Sequence, residues 1–435
     1  MPRSRRWKSG KKIDCRRGRG LASSSSLDYT TPGHTIDMQA GFSAARLAAL
    51  TRTLQDYVER GEVAGVVALA WRRGATGYFE ALGLRDEAAH LPMERDTLFR
   101  IASMTKPVTS AAILMLVEED RLALDTPIAQ WLPELAAPRV LRDPGGPLDE
   151  TDPVRTPLTV LDLLTHRAGF AYHFTAMGPL AQAYAAAFNG FDARGDVNAW
   201  LARIAELPLM FQPGSRWHYG IATDVLGALI TRVSGMSLGD FFRTRIFEPL
   251  GMRDTAFWVP EPQLPRLATA YGVDADTRRR VVEDHASASR WANPARFQSG
   301  GGGLVSTAED YLQFAQLLLR RGRVGDTRLL SHRSVDLMRS NFLTRDQRRL
   351  PAFGHVMWAG QGFGLGLSIV DDPAQQLPQG YRSMGSFGWP GAFGTSWFAD
   401  PVEDLIGLML IQRRSIEPFP MAVDFERRVY DAIDD

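Results

Sequence analysis

The chain has 435 residues, 45% hydrophobic and 23% charged, and its 50 basic and 49 acidic side chains leave a formal charge of +1. That composition suits a globular protein long enough for one large domain or two lobes sharing a cleft, and it offers no net field to gather nucleic acid or an anionic membrane. A single cysteine, Cys15, excludes an internal disulfide framework and a cysteine-rich metal site, and the composition is at home in a reducing, cytoplasmic compartment.

Residues 1–40 begin with Arg3, Arg5, Arg6, Lys8, Lys11, Lys12, Arg16, Arg17 and Arg19 and continue into Ser23-Ser24-Ser25-Ser26, which reads as a disordered basic tail, with Met38 an alternative start. No apolar stretch of about 7–15 residues follows the positive start, as a secretory signal requires. Nor does any later segment supply the ~18 uncharged apolar residues of a membrane span.

From 41 to 432 the pattern is that of a single catalytic domain, with a sheet lobe at 43–100 and 300–432 and a helical lobe at 101–299. A first helix is expected over 43–61, opened by Ser43 as a cap, followed by paired strands at Val63–Arg72 and Gly77–Gly83. Val108, Ala111, Ile113, Leu114 and Val117 give a helix from Pro107 to Glu119, with the proline tolerated in the first turn. The middle is rich in helical patterns and poor in strand signals. After Gly300-Gly301-Gly302-Gly303, a capping-type start at Val305–Asp310 opens another helix. Strands are expected at Leu365–Val370, Thr395–Ala399 and Leu405–Gln412, and a closing helix at Met421–Ile433.

Lys106 is the only lysine after residue 12, and it lies three residues after Ser103 in Ile101-Ala102-Ser103-Met104-Thr105-Lys106-Pro107. An amine loses its proton when desolvated, whereas a guanidinium effectively never does, so this chain keeps its one titratable cation beside a candidate nucleophile. The spacing is one helical turn, which puts both side chains on one side of a helix whose positive end favours a neutral amine and an oxyanion. Alone the motif is weak, for Ser9-Gly10-Lys11-Lys12 matches it in the tail. Two further segments strengthen it: Phe211-Gln212-Pro213-Gly214-Ser215-Arg216-Trp217-His218-Tyr219-Gly220-Ile221-Ala222-Thr223-Asp224, a turn and a tyrosine ahead of a helix, and Gly385-Ser386-Phe387-Gly388-Trp389-Pro390-Gly391-Ala392.

With these segments in this order, the chain resembles the serine β-lactamase and penicillin-binding-protein superfamily, in the class C-like branch and closest to the family VIII carboxylesterases. Leu163-Leu164-Thr165-His166-Arg167-Ala168-Gly169 and Phe247-Glu248-Pro249-Leu250-Gly251-Met252 add to the likeness, which runs from about residue 43 to the C-terminus. The resemblance implies an α/β (α+β) fold, an antiparallel β-sheet flanked by N- and C-terminal helices with a large, mainly helical insertion. It also implies Ser103 as acyl-accepting nucleophile, Lys106 as its base partner and Tyr219 as the phenol that relays the proton. The backbone N–H groups of Ser103 and Ala392 would form the oxyanion hole, Ala392 on the strand after Trp389-Pro390-Gly391, and Trp389 and Gly391 would border the substrate.

Two positions depart from the β-lactamases. Where they carry Tyr-x-Asn, the third position is Ile221, and where they carry a Lys/His-Thr-Gly cation this chain has Trp389-Pro390-Gly391, close to the Trp-x-Gly of the esterases. An indole cannot pair with a carboxylate, so the expected substrate is a small uncharged ester, cleaved without a cofactor through an acyl-enzyme. A β-lactamase, D-Ala-D-Ala peptidase or acyltransferase of the same superfamily, and a non-catalytic scaffold on the same fold, are the alternatives. The oligomeric state is not written in the sequence.

Gly235-Met236-Ser237-Leu238-Gly239 fits the Gly-x-Ser-x-Gly elbow of α/β-hydrolases, but helical spacing from Asp224 to Val233 makes Ser237 a cap between two helices instead. His166, His173, His218 and His285 lack metal-ligand spacing, so no metal is expected, and His166 reads as a packed, hydrogen-bonded residue.

Overall fold

The strand Gly65–Arg72 is buried along its whole length, and alternate side chains feed two different cores. Val67, Leu69 and Trp71 enter the larger one, while Val66, Ala68 and Ala70 enter the smaller, the division that a period-two backbone imposes. A strand buried on both faces belongs at the centre of a sheet. In this computed structural model, which describes residues 40–187, 196–274, 276–277, 279–351, 358–376, 381–414 and 419–434, it is sixth of eight antiparallel strands. The order is Gln361–Phe363, Ser368–Val370, Phe387–Gly388, Ser396–Asp400, Leu405–Leu410, Gly65–Arg72, Ala75–Asp86 and Leu91–Pro92. Register is set by pairs such as Val67 with Leu410 on one side and Ala81 on the other.

The smaller core is covered by helices Ala44–Glu59 and Pro420–Asp431, which contribute Leu47, Leu50, Leu54, Phe425 and Val429. The Ser43 N–H donates to Ala432 O at 2.8 Å, clipping the two helices together; the Ser43 side chain makes no capping bond, contrary to its expected role. The opposite face carries Ala308–Leu319, whose predicted cap is present as Asp310 N–H donating to Thr307 Oγ1 at 3.2 Å. Thr105 to Leu116 are all buried, so the helix Thr105–Glu118 is enclosed on every side, as an apolar all-round pattern predicts.

Several expected strands are shorter than their apolar runs, the closing helix is Pro420–Asp431, and the middle of the chain holds two hairpins that the sequence reading passed over. These are Arg139–Leu141 with Thr151–Pro153 and Ala270–Val273 with Arg280–Asp284, too short to show a convincing alternation. The basic tail, Met38, Cys15 and Ser9–Lys12 lie outside the described residues.

Just ahead of Ser103, Phe99–Arg100 pairs with Val305–Ser306. The fully buried Arg100 is held by Ala268 O at 2.6 Å, Ser289 Oγ at 3.0 Å and an ion pair with Asp284. Gln412 accepts from Arg100 N–H and donates to Arg100 O, each at 3.1 Å. A buried guanidinium is tolerated where its charge is paired and most of its donors are used; here both terminal nitrogens are bonded, Nε has no partner, and the arrangement ties the chain entering the serine helix to the sheet.

Candidate active site

Ser103 lies in the 3₁₀ turn Ala102–Met104, directly before the α-helix Thr105–Glu118. The preceding Ala102 has φ +44°, the left-handed region that costs an alanine roughly 1–3 kcal/mol and is kept only where its surroundings fix it. Lys106, one turn on, is fully buried, and its Nζ donates to Ser103 Oγ at 3.3 Å, Tyr172 Oη at 3.2 Å and Gly301 O at 2.6 Å.

Tyr219 reaches the same serine, its hydroxyl donating to Ser103 Oγ at 2.7 Å, with Lys106 Nζ 4.6 Å from its ring. The chain around it is fixed at several points. His218 N–H donates to His166 O at 2.8 Å, and Thr175 Oγ1 donates to Tyr219 O at 2.8 Å. At Gly220 a Cβ would lie 2.3 Å from Phe170 O, so glycine permits the crossing of the two segments. The Tyr219 oxygen also accepts from Trp389 Nε1 at 3.4 Å. Trp389 is almost fully buried and lies beside Tyr219, Phe363 and Trp217.

Gly391 closes this wall. Its N–H donates to Thr395 O at 2.7 Å, and a Cβ there would lie 2.3 Å from Ile101 O, so only glycine lets the segment press against the chain leading to Ser103. Ala392 corrects the sequence expectation: it occupies an exposed turn between Phe387–Gly388 and Ser396–Asp400 rather than a strand, because Gly394 N–H turns back to Gly391 O at 3.0 Å. A turn of that kind leaves the N–H of its second residue outside its own bond, and the first turn of a helix has no intrahelical acceptor for the N–H of Ser103. Both groups named for an oxyanion are therefore donors at turn positions.

Three participants were missed as such in the sequence. Tyr172 carries no motif of its own, Asp224 stands in the sequence only as part of a longer segment, and Gly301 only as one of four consecutive glycines. Asp224 is 1% exposed and accepts from the Tyr172 hydroxyl at 3.4 Å, Gly301 N–H at 3.1 Å and the Ser299 hydroxyl. Burial raises its pKa, an effect opposed by the Lys106 charge and by these donors. Burial, then Asp224, holds the Tyr172 phenol protonated well above its ordinary range. A carboxylate within the buried run Ala222–Ile230 was the available signal.

His166 is buried with φ +52°, its Nε2 3.4 Å from Thr223 Oγ1 and its ring 5.0 Å from that of Tyr219. Burial and then the Lys106 charge push its pKa well below the usual range, so it is neutral packing for Tyr219. His285 pairs with Asp86 at 2.9 Å and His173 stacks edge-on with Phe174. Among the described residues, no group of three or more His, Cys, Asp or Glu is arranged to hold a metal ion. Ser237 caps the helix Leu238–Phe242, accepting from Asp240 N–H at 3.0 Å.

The antiparallel sheet with helices on both faces, and a Ser-x-x-Lys at the head of an enclosed helix, define a protein of the β-lactamase and penicillin-binding class. Residues 50–430 match the family described as Beta-lactamase, and the chain belongs to that family. It is 45% identical over 361 residues to Protein Rv1367c of Mycobacterium tuberculosis, covering 83% of this chain and 88% of that one. It is 35% identical over 400 residues to Esterase EstB of Burkholderia gladioli, covering 88% and 93%. Among solved structures, EstCE1, "a hydrolase with promiscuous acyltransferase activity", superposes with a TM-score of 0.74 at 28% identity, over 89% of this chain and 99% of that one.

Proposed function

We propose that this protein is a serine esterase that cleaves small uncharged carboxylic esters through an acyl-enzyme on Ser103. The observation that carries the reading is Ser103 Oγ held between Lys106 Nζ at 3.3 Å and Tyr219 Oη at 2.7 Å. In this mechanism Ser103 Oγ bonds to the ester carbonyl carbon as its proton passes to the amine of Lys106. The oxyanion is stabilised by the N–H groups of Ser103 and Ala392. Collapse breaks the bond to the alkoxy group, which leaves as the alcohol with a proton delivered through Tyr219. Water then adds to the acyl-enzyme, releasing the acid and restoring the serine.

The substrate class follows from what faces the site. Trp389 presents an indole N–H to the Tyr219 oxygen where a cation would meet a substrate carboxylate, and Ile221 is buried and apolar where an asparagine would hold an amide. Both features favour an uncharged ester over a β-lactam or peptide. The likeness to EstCE1 supports a second outcome from the same acyl-enzyme, capture of the acyl group by an alcohol in place of water.

Hydrolysis of p-nitrophenyl butyrate by the wild type and Ser103→Ala, with folding followed by circular dichroism, tests the reading. Turnover that disappears in the folded variant is expected. Turnover that survives places the nucleophile elsewhere, and no turnover in either protein returns the β-lactam and scaffold readings to the front.

A further inference from the structure

Lys106 Nζ has three acceptors around it, and two of them are anchored by the same carboxylate. Gly301 offers its carbonyl to Lys106 at 2.6 Å while its N–H donates to Asp224 Oδ1 at 3.1 Å. Tyr172 offers its oxygen to Lys106 at 3.2 Å while its proton is directed to Asp224 Oδ2 at 3.4 Å. A hydroxyl whose only proton is spent on a carboxylate can face an amine only as an acceptor. A peptide whose N–H is held at one end has its carbonyl fixed at the other.

We propose that Asp224 is the positioning residue of this site: by orienting the Tyr172 hydroxyl and the Gly301 peptide, it commits two N–H groups of Lys106 and leaves the remaining tetrahedral position of Nζ aimed at Ser103. The inference rests on the esterase reading. In the neutral amine that position is the lone pair, which takes the Ser103 proton as the serine O–H bond breaks and the new N–H bond forms. The proton later departs through Tyr219 to the leaving alcohol, so the amine is restored within the cycle.

Other features of the site agree with this role. Asp224 lies in the first turn of the helix Ala222–Ser234, where the helix dipole favours a negative charge. Ser299 donates to it. A Cβ at Gly301 would lie 2.5 Å from Asp224 Oδ2 and 2.8 Å from the Tyr172 oxygen, so glycine there keeps room for the three-way contact. Without a side chain at 301, the carboxylate, phenol and amine meet in a dry enclosure, where an aimed lone pair is worth most.

The test uses Asp224→Asn, which keeps the size of the side chain but gives one end of it donors, so that it cannot serve both the phenol and the peptide. The expected result is a roughly 100-fold fall, the scale of one general acid–base contribution, in kcat for p-nitrophenyl butyrate. The rate at which a fluorophosphonate labels Ser103 should fall in parallel, with KM within about threefold of wild type, the pattern of a loss confined to the chemical step. Tyr172→Phe, which removes one of the two anchored acceptors, is expected to cost about 10-fold, and the double variant should be no slower than Asp224→Asn alone. Folded Asp224→Asn that labels within about threefold of wild type overturns the inference, as does a double variant whose losses simply multiply. If Asp224→Asn does not fold, Tyr172→Phe with wild-type labelling overturns it equally. A wild type that never labels at Ser103 overturns the esterase reading and this inference with it, whereas a labelled wild type beside an unaffected Asp224→Asn overturns the inference alone.

Discussion

Trp389 shows how one side chain sets the chemistry of the site. Its indole N–H donates to the Tyr219 oxygen at 3.4 Å, and that same hydroxyl donates to Ser103 at 2.7 Å, so Tyr219 is both acceptor and donor in one line. In the proposed mechanism a neutral donor there would support charge developing on the phenol without adding a cation that would attract a carboxylate. Trp389→Phe keeps the aromatic packing against Phe363 and Trp217 and removes the donor. The expected outcome is a fall in kcat of about 5- to 10-fold, the equivalent of one neutral hydrogen bond of roughly 1 kcal/mol, with folding unchanged by circular dichroism. A rate equal to wild type would show that the N–H contributes nothing to turnover.

At the scale of elements, the serine helix works because it is enclosed and because its beginning is held from outside. Twelve consecutive buried residues, Thr105 to Leu116, fix its position, and Arg100 and Gln412 fix the chain that enters it. The helix at Ser237 has the opposite character. Its cap is local and surface-facing, with Ser237 Oγ donating to Asp240 Oδ2 at 2.7 Å and accepting from Asp240 N–H at 3.0 Å. Ser237→Ala is therefore expected to lower unfolding stability by about 1 kcal/mol, as loss of an N-cap does, and to leave any turnover of p-nitrophenyl butyrate at the wild-type rate. Loss of turnover in the folded variant would make Ser237, not Ser103, the nucleophile.

At the scale of the whole molecule, stability is coupled to pH through buried and partly buried groups, one beside the site and one away from it. Burial, then the Arg216 charge, lowers the His218 pKa from its ordinary value of 6.5 to about 4. The native state thus holds fewer protons than the unfolded chain between those values, so the contribution of His218 is fully present above pH 6.5 and is lost as pH falls toward 4. At about 1.4 kcal/mol per unit this amounts to at most roughly 3 kcal/mol. Asp310 acts with the opposite sign: burial raises it from 3.8 to about 6, so its contribution is present below 3.8 and is lost as pH rises through 6. Comparing wild type with His218→Gln isolates the histidine. Denaturant unfolding is expected to show the wild type losing its advantage over the variant by up to about 3 kcal/mol between pH 7 and pH 4, and a constant difference would refute the assignment.

The sequence by itself determined the family and, outside the two hairpins of the middle, the order of helices and strands, and it named Ser103, Lys106 and Tyr219, which the fold brings together, because apolar periodicity and short motifs are local properties. Ser103 and Lys106 are one helical turn apart, and Tyr219 announces itself by the glycine turn and helix that frame it. What only the tertiary structure decided are the contacts between segments distant in the chain. Asp224 meets Tyr172 at a sequence separation of 52 and Gly301 at a separation of 77, and nothing local to any of the three marks the meeting. The resemblance implies a strand position for Ala392, yet Gly391 and Gly394 turn the chain there. Pairing across a fold depends on which buried polar groups must satisfy one another once water is excluded, a condition that exists only after the chain has closed around them.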